Sequence, residues 1–327
     1  MPTGDDAAGW LMVMRGGECA AQVLERHGES APRTAVLLVV TNAHLMSKLA
    51  SAWPSWDEFF LAEHTWPLLQ IDPSRLTPEQ VASSLRLHPG GSSCELPPRL
   101  HSHGHTCWRT ERHHPVLLRA SPLEIPPALG ETLDEAAAFR SPRFCHAKHT
   151  GEYLVGTKWY VWALYRLAAL DHFDFFLKVD LDVVFRRPLR PAPAHAMALT
   201  GATFAHTQRL PLTDAESACG LTLDDATAAY LRAAECGDAA TEAATGASFP
   251  RFFYYSNVMG GWLGLFRSPQ LMAYAQHWWS WPGGWWSRWG DQQFWPHALH
   301  VVANVSEREV LKLDHWRRRG DFVHLGG

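Results

Sequence analysis

Two spacings of apolar residues alternate along this chain. Short unbroken apolar runs predict strands buried on both faces, and repeats near the helical period predict the helices between them. The first run is Thr34 to Thr41, followed by Asn42-Ala43-His44 and a predicted helix over Leu45 to Trp53. Residues 71–114 are rich in Pro, Ser and His, hold no sustained period, and predict a looped insertion. Pro115 to Ala120 predicts another strand, which leads into a Pro-rich loop. From Glu152 to Leu170, the residues Tyr153, Trp159, Tyr160, Trp162, Ala163, Leu164, Leu167 and Leu170 recur at near-helical spacing and predict one helix. Phe175 to Val179 is a buried strand by composition, rich in aromatic and β-branched types, and Val183 to Phe185 is a second short run.

Further along, Met197 to Phe204 is expected to be a strand, and residues 207–249 a surface excursion with a short helix near Leu223 to Ala234. Phe252 to Phe266 reads as a strand, a Gly260-Gly261 pair and a further strand, before Ser268 and Pro269 open an aromatic helix over Leu271 to Trp279. Asp291 is placed at or near the start of the helix that carries Ala298 and Leu299. Val310 to Leu313 and Phe322 to Leu325 predict the last strands. The alternation is that of an α/β protein: a polar segment over 1–33, then one domain over 34–327 with insertions at about 71–114 and 207–249.

Composition narrows the function classes. With 46% hydrophobic and 19% charged residues the chain has material for a large core and is not of a disordered type. A net charge of -4, with Arg317-Arg318-Arg319 the densest basic run, carries no nucleic-acid signature. Six cysteines, none in a Cys-x-x-Cys, are compatible with up to three disulfides, and Cys94/Cys107 and Cys219/Cys236 could each close a short loop. Such pairing belongs to an oxidising lumen, as does the acceptor pattern Asn304-Val305-Ser306. Met1 to Ala20 has no long apolar run and is neither a signal peptide nor a membrane anchor. The expectation is a lumenal protein whose anchor lies outside this chain, or a cytoplasmic one. His101, His103, His105, His113 and His114 crowd around Cys107 at spacings that fit no standard zinc finger, so a solvated His-rich loop is expected there.

The candidate chemistry lies at the end of the Phe175–Val179 strand. Asp180 and Asp182 sit two apart, and an extended backbone would point both carboxylates to one side. Like charges that close repel one another and resist burial, and a hard divalent cation resolves both costs. Oxygen donors of this kind suit Mg²⁺ or Mn²⁺, which also bind phosphate oxygens. The buried strand before the pair and the basic turn Arg186-Arg187-Pro188 after it strengthen that assignment.

In that setting the pair resembles the Asp-x-Asp motif of nucleotide-sugar glycosyltransferases of the GT-A fold. The order of four blocks is most similar to the fungal-type Golgi α-1,2-mannosyltransferases. The blocks are Phe173 to Val183, Ser256-Asn257 to Arg267-Ser268, Arg288-Trp289-Gly290-Asp291, and Leu311 to His324. The resemblance covers roughly residues 150–327. It implies a Rossmann-like domain with a mixed central sheet flanked by helices, which transfers a hexose, mannose favoured, from a nucleotide-sugar to a hydroxyl of a glycan, glycoprotein or glycolipid. Implied with it are Mn²⁺ or Mg²⁺ on Asp180, Asp182 and His324, and a GDP-mannose or UDP-sugar donor contacted by Asp180, Asn257, Gly260 and Gly261; Lys158, off the helical repeat, is either an exposed helix charge or a phosphate contact for that donor. Asp291 becomes the residue that orients the donor sugar or the acceptor hydroxyl, and the compartment becomes the Golgi or ER lumen.

Two departures accompany the likeness. The family has Glu-Pro-Asp where this chain has Asp180-Leu181-Asp182, and a Glu where this chain has Met259. A double displacement through position 259 is therefore not implied. A catalytically inactive carbohydrate-binding protein, or a metal-dependent nucleotidyltransferase or phosphohydrolase, would use the same carboxylates.

Overall fold

The computed structural model of the chain describes residues 32–40, 42–62, 66–71, 75–90, 105–121, 157, 159–234, 249–280 and 290–325. Among the described residues eleven strands are formed: β1 (Thr34–Val40), β2 (Trp66–Ile71), β3 (His88–Pro89), β4 (His105–Arg109), β5 (Pro115–Ala120), β6 (Phe175–Val179), β7 (Val183–Phe185), β8 (Phe204–Pro211), β9 (Phe252–Trp262), β10 (Val310–Lys312) and β11 (Phe322–His324). Nine make a central sheet in the order β10-β8-β9-β6-β1-β2-β5-β4-β3, while β7 and β11 pair separately. The sheet is mixed. β1 runs parallel to β2 and β6, and β9 runs antiparallel to β6 and β8.

The central strands carry apolar residues at every position because both faces are covered. Ala35, Leu37 and Val39 join one core, and Val36, Leu38 and Val40 join the other. Eight α-helices of the described residues pack around the sheet: α1 (Ala43–Ser55), α2 (Pro78–Ser84), α3 (Pro193–Thr200), α4 (Asp214–Ala233), α5 (Leu263–Phe266), α6 (Pro269–Ser280), α7 (Asp291–Pro296) and α8 (Asp314–Arg318). Asn42 caps α1 by accepting from the Leu45 amide at 2.9 Å. Just beyond α1, the Trp56 indole donates to the Val183 carbonyl at 2.6 Å and Phe60 stacks on Phe185. That cluster holds β7 down, and with it the turn between β6 and β7.

Several elements differ from the sequence pattern. The helix expected over 152–170 is instead a wide turn over Trp159–Ala163 and two tight ones over Leu164–Arg166 and Ala168–His172, with residues 151–156 and 158 outside the described set. Trp159, Val161, Leu164 and Tyr165 are all buried while Arg166 is exposed, so the buried positions do not fall on the single stripe of one straight helix. Carbonyls freed at the break are taken up by Arg267, which donates to Tyr165 and Leu167 at 2.7 and 2.6 Å.

Met197 to Phe204 is not a strand. Pro193 opens α3 at a position where its missing N–H costs nothing, and Gly201 at φ 73° closes it. The excursion expected from 207 begins later, since β8 runs to Pro211, and its helix is longer, Asp214–Ala233. Within 71–114 the chain forms α2, β3 and β4. His105 lies buried in β4, so this part of the His-rich stretch is sheet edge rather than solvated loop, while His101 and His103 fall outside the described residues. Cys107 is disulfide-bonded, and the Cys94 expected opposite it also falls outside them.

The glycine pair has a different purpose from the one expected. β9 is one continuous strand through Gly260 and Gly261, which pair with Leu177 and Phe176 of β6. A Cβ on Gly260 would stand 2.8 Å from Leu177 Cδ2, and one on Gly261 would fall on the Phe266 ring and 2.6 Å from Phe176 Cε1. The two glycines make room for core side chains on opposite faces of the sheet. Gly261→Ala is therefore expected to lower stability by about 1–3 kcal/mol through overpacking. A drop in the urea midpoint with unchanged slope checks this, and an unchanged midpoint would contradict it.

Candidate functional site

The chemistry-bearing side chains meet where β6 ends. Asp180 follows the last β6 residue, and its amide donates to the Asn257 carbonyl of β9 at 2.8 Å. The backbone then turns rather than staying extended, with Val183 N donating to Asp180 O at 3.1 Å. Asp180 and Asp182 thus share a side by way of a turn, not by the strand alternation expected. β11 returns antiparallel to β7 with His324 opposite Val183, and Leu325 N donates to Asp182 O at 3.0 Å. The imidazole is placed on the carboxylates as a result. His324 Nε2 stands 3.0 Å from Asp182 Oδ1 and 3.7 Å from Asp180 Oδ2. One ligand atom from each of Asp180, Asp182 and His324 lies within 4.8 Å of the others.

Each carboxylate uses its second oxygen on a lysine. Lys48 of α1 reaches Asp182 Oδ2 at 2.9 Å, and Lys178 of β6 reaches Asp180 Oδ1 at 2.7 Å. Lys178 is also 3.4 Å from Asp291 Oδ2, and it donates to the Ser256 carbonyl at 3.0 Å. Ser256 Oγ donates to the same Asp291 oxygen at 2.9 Å. Behind Lys178 sits the ring of Tyr160, 5.2 Å from the ammonium, whose hydroxyl accepts from the Val39 amide. Tyr255 OH lies 3.2 Å from His324 Nδ1, the nitrogen turned away from the carboxylates.

Electrostatics keep the charges in place. The hydrogen bond from His324 holds the Asp182 carboxyl well below the ordinary carboxylate range, against burial and with help from Lys48. The same bond raises His324 above the usual imidazole value. Burial pulls the Lys178 ammonium down, but Asp180 and Asp291, with Tyr160, outweigh it and keep it a cation. Three carboxylates against two ammonium groups leave one net negative charge when His324 is neutral, which attracts a cation. The donor set of two carboxylates and an imidazole suits Mn²⁺, with Tyr255 as the outer partner that fixes the ring.

Asp180, Asp182, His324 and Asp291 converge as the sequence reading places them, with Asp291 at the first turn of α7 and bonded to Ser256. Asn257 borders the cluster. Its Oδ1 accepts from Thr207 Oγ1 at 2.6 Å, and its buried amide nitrogen has no partner among the described residues. Gly260 and Gly261 do not face the cluster, for the packing reason given above, and Lys158 lies outside the described residues. Met259 is buried in the apolar core. Lys48, Tyr160, Lys178 and Tyr255 had no site role in the sequence reading, and Ser256 stood there only as part of the Ser256-Asn257 block. Only Lys178 left a signal there, as a charge inside an otherwise apolar five-residue strand.

No family model matches this sequence, and no curated sequence does. Solved structures do. The mannosyltransferase Ktr4p from S. cerevisiae superposes with a TM-score of 0.62 at 12% identity, over 98% of this chain and 80% of that one. Core-mannan synthase A from Aspergillus fumigatus, in its Mn/GDP form, gives a TM-score of 0.58 at 17% identity, over 95% and 79%. This chain has the GT-A fold. The nine-stranded mixed sheet with flanking helices is the architecture which that fold class implies. At these identities the likeness is one of fold, and the chemistry must be argued from the GT-A site itself.

Ligation requires a neutral imidazole at His324, so Mn²⁺ binding is expected to release a proton and to strengthen as pH rises above 6.5. Calorimetry in buffers of different ionisation enthalpy checks the proton release, and binding insensitive to pH would contradict it. Tyr255→Phe is expected to weaken Mn²⁺ roughly tenfold while leaving the fold intact.

Proposed function

We propose that this chain is a metal-dependent glycosyltransferase that moves a hexose, mannose favoured, from a nucleotide-sugar to a hydroxyl of a glycan or glycoconjugate. The observation that carries this reading is the Asp180, Asp182 and His324 triad at the carboxyl end of β6 in a GT-A sheet. A neighbour of that fold is a mannan synthase described in an Mn/GDP form, which supports Mn²⁺ and GDP-mannose over other pairs.

Each residue has a derived part. Asp180, Asp182 and His324 would hold Mn²⁺, which when bound supplies Lewis-acid charge to the diphosphate leaving group. Lys48 stands beside Asp182 with an ammonium available to a phosphate oxygen. Lys178 is buried and reaches no substrate; it is a positioning residue that fixes the angle between Asp180 and Asp291. Asp291 has one oxygen taken by Ser256 and Lys178, and its Oδ1 carries no bond among the described residues. That oxygen is placed to orient a sugar hydroxyl. The Asn257 amide, buried and unpartnered, is a second donor for the nucleotide-sugar. The Cys107 disulfide supports an oxidising lumen such as the Golgi. No helix of the described residues is long and apolar enough to cross a membrane.

The test is thermal shift against GDP and UDP with and without Mn²⁺, followed by turnover of the matching sugar conjugate. A metal-dependent rise that grows with nucleotide concentration is expected. Asp182→Asn should reduce turnover at least a hundredfold, roughly 3 kcal/mol of barrier, with the fold retained. Normal activity in that variant, or release of phosphate or pyrophosphate instead of a nucleoside diphosphate, would overturn the reading.

A further inference from the structure

A cavity of about 550 Å³ lies on the far side of β9 from the triad. It is lined by His206 and Arg209 of β8, by Lys312 of β10, and by Asp314, Arg317 and Arg318 of α8. That volume is within the range of small-ligand pockets.

Its charge is concentrated and only partly answered. Arg209 meets Glu307 at 2.6 Å, and Arg318 pairs with Asp314. Lys312 and Arg317 carry no ion pair among the described residues. The fold thus divides the basic run at the end of the chain: Arg319 turns to Asp321 at 2.5 Å, Arg318 to Asp314, and Arg317 is left to the cavity. On a chain of net charge -4 this leaves a local excess of positive charge. His206 closes the wall behind these basic groups: it is 1% exposed and packs against the rings of Phe204 and Tyr254.

The cavity's position fixes what it would serve. A nucleotide in such a sheet lies at the carboxyl ends of the parallel strands, here β1, β2 and β6. β8 stands on the other flank. It runs parallel to β6, with antiparallel β9 between them, so its carboxyl half emerges at the same end of the sheet as Asp180. Two inter-strand spacings, roughly 10 Å, separate the strands. The link is also chemical. Thr207 Oγ1 of the cavity wall stands 2.9 Å from the carbonyl oxygen of Tyr255, whose hydroxyl meets His324.

We infer that this cavity is the acceptor subsite, and that the acceptor glycan it takes carries an anionic group, a phosphate or a carboxylate, held by Lys312 and Arg317. This rests on the reading of the chain as a sugar transferase. Guanidinium and ammonium groups at the mouth bind either anion, and the half-buried Gln208 of the same wall offers its amide to the sugar beside it.

The test is calorimetric titration of the whole protein with mannose 6-phosphate, digalacturonate and neutral mannobiose. It is run without divalent metal, so that no phosphate is drawn to the carboxylate triad. At least one anionic saccharide is expected to bind about tenfold or more tightly than mannobiose, and to weaken as salt is raised. The Lys312→Gln/Arg317→Gln double variant should bind it roughly tenfold more weakly, the order set by charge-assisted hydrogen bonds. Which of the two anionic saccharides binds better separates phosphate from carboxylate recognition. Equal binding of all three saccharides, or a double variant that binds as the unaltered protein does, overturns the inference. Inorganic phosphate bound as tightly as mannose 6-phosphate, with digalacturonate no tighter than mannobiose, would reduce the cavity to an anion site and overturn the acceptor assignment. Metal-dependent release of nucleoside diphosphate from a nucleotide-sugar without acceptor is measured alongside. If that release is absent while anionic saccharides bind, the transferase reading fails and takes the acceptor role with it. If release is present and the saccharide preference is absent, only the present inference fails.

Discussion

The pairing of β11 with β7 is the constraint on which the site depends. Phe322, Val323 and His324 lie opposite Phe185, Val184 and Val183, and this register alone places an imidazole from the end of the chain on the carboxylate of Asp182. The pairing is short, so its strength comes from what lies beneath it. Phe322 and Phe185 are buried in the core formed by Trp56, Phe60 and Trp316, and the Trp56 indole is bonded to the Val183 carbonyl. A slip of one residue would turn Phe322 to solvent and His324 away from the carboxylates. Burial of one aromatic side chain thus determines the geometry of a polar site two residues away.

The second constraint is charge. A turn that brings Asp180 and Asp182 together at the edge of a core is unfavourable unless cations answer it. Here they are answered from two directions: Lys48 from the first helix and Lys178 from within the strand. Lys178 is tolerated in an apolar strand because two carboxylates, a backbone carbonyl and an aromatic face surround its ammonium. Removing one partner would leave a buried charge without compensation, which costs far more than the pair contributes. The same arrangement orders Asp180 and Asp291 relative to each other. Stability and site geometry are therefore supported by the same residues.

The GT-A sheet also explains the division of labour across the site. Parallel strands β1, β2 and β6 end where a nucleotide can lie, and the antiparallel β9 separates that flank from β8 and β10. Asp180 and His324 stand at the boundary between the two flanks. On the proposed transferase reading, donor and acceptor would approach one point from these two sides.

Much of this was legible in the sequence, for a definite reason. Short apolar runs report strands, so β1, β5, β6 and β10 could be read directly, as could the helices that became α1 and α6. Asp180 and Asp182 were legible because two carboxylates at the end of a buried strand require a cation. What only the tertiary structure decided was anything set by contacts between segments distant in the chain. The broken turns over 159–172 bury residues that do not share one helical stripe, which the spacing of apolar types does not show. Gly260 and Gly261 invited a ligand by their type, and only the positions of Leu177, Phe176 and Phe266 show that the space is taken by the core. Lys48 and Tyr255 look like any exposed lysine and any strand tyrosine until the fold places them against Asp182 and His324. Local sequence sets the period and the buried face of each element; which side chains converge is decided by strand pairing and packing over long separations.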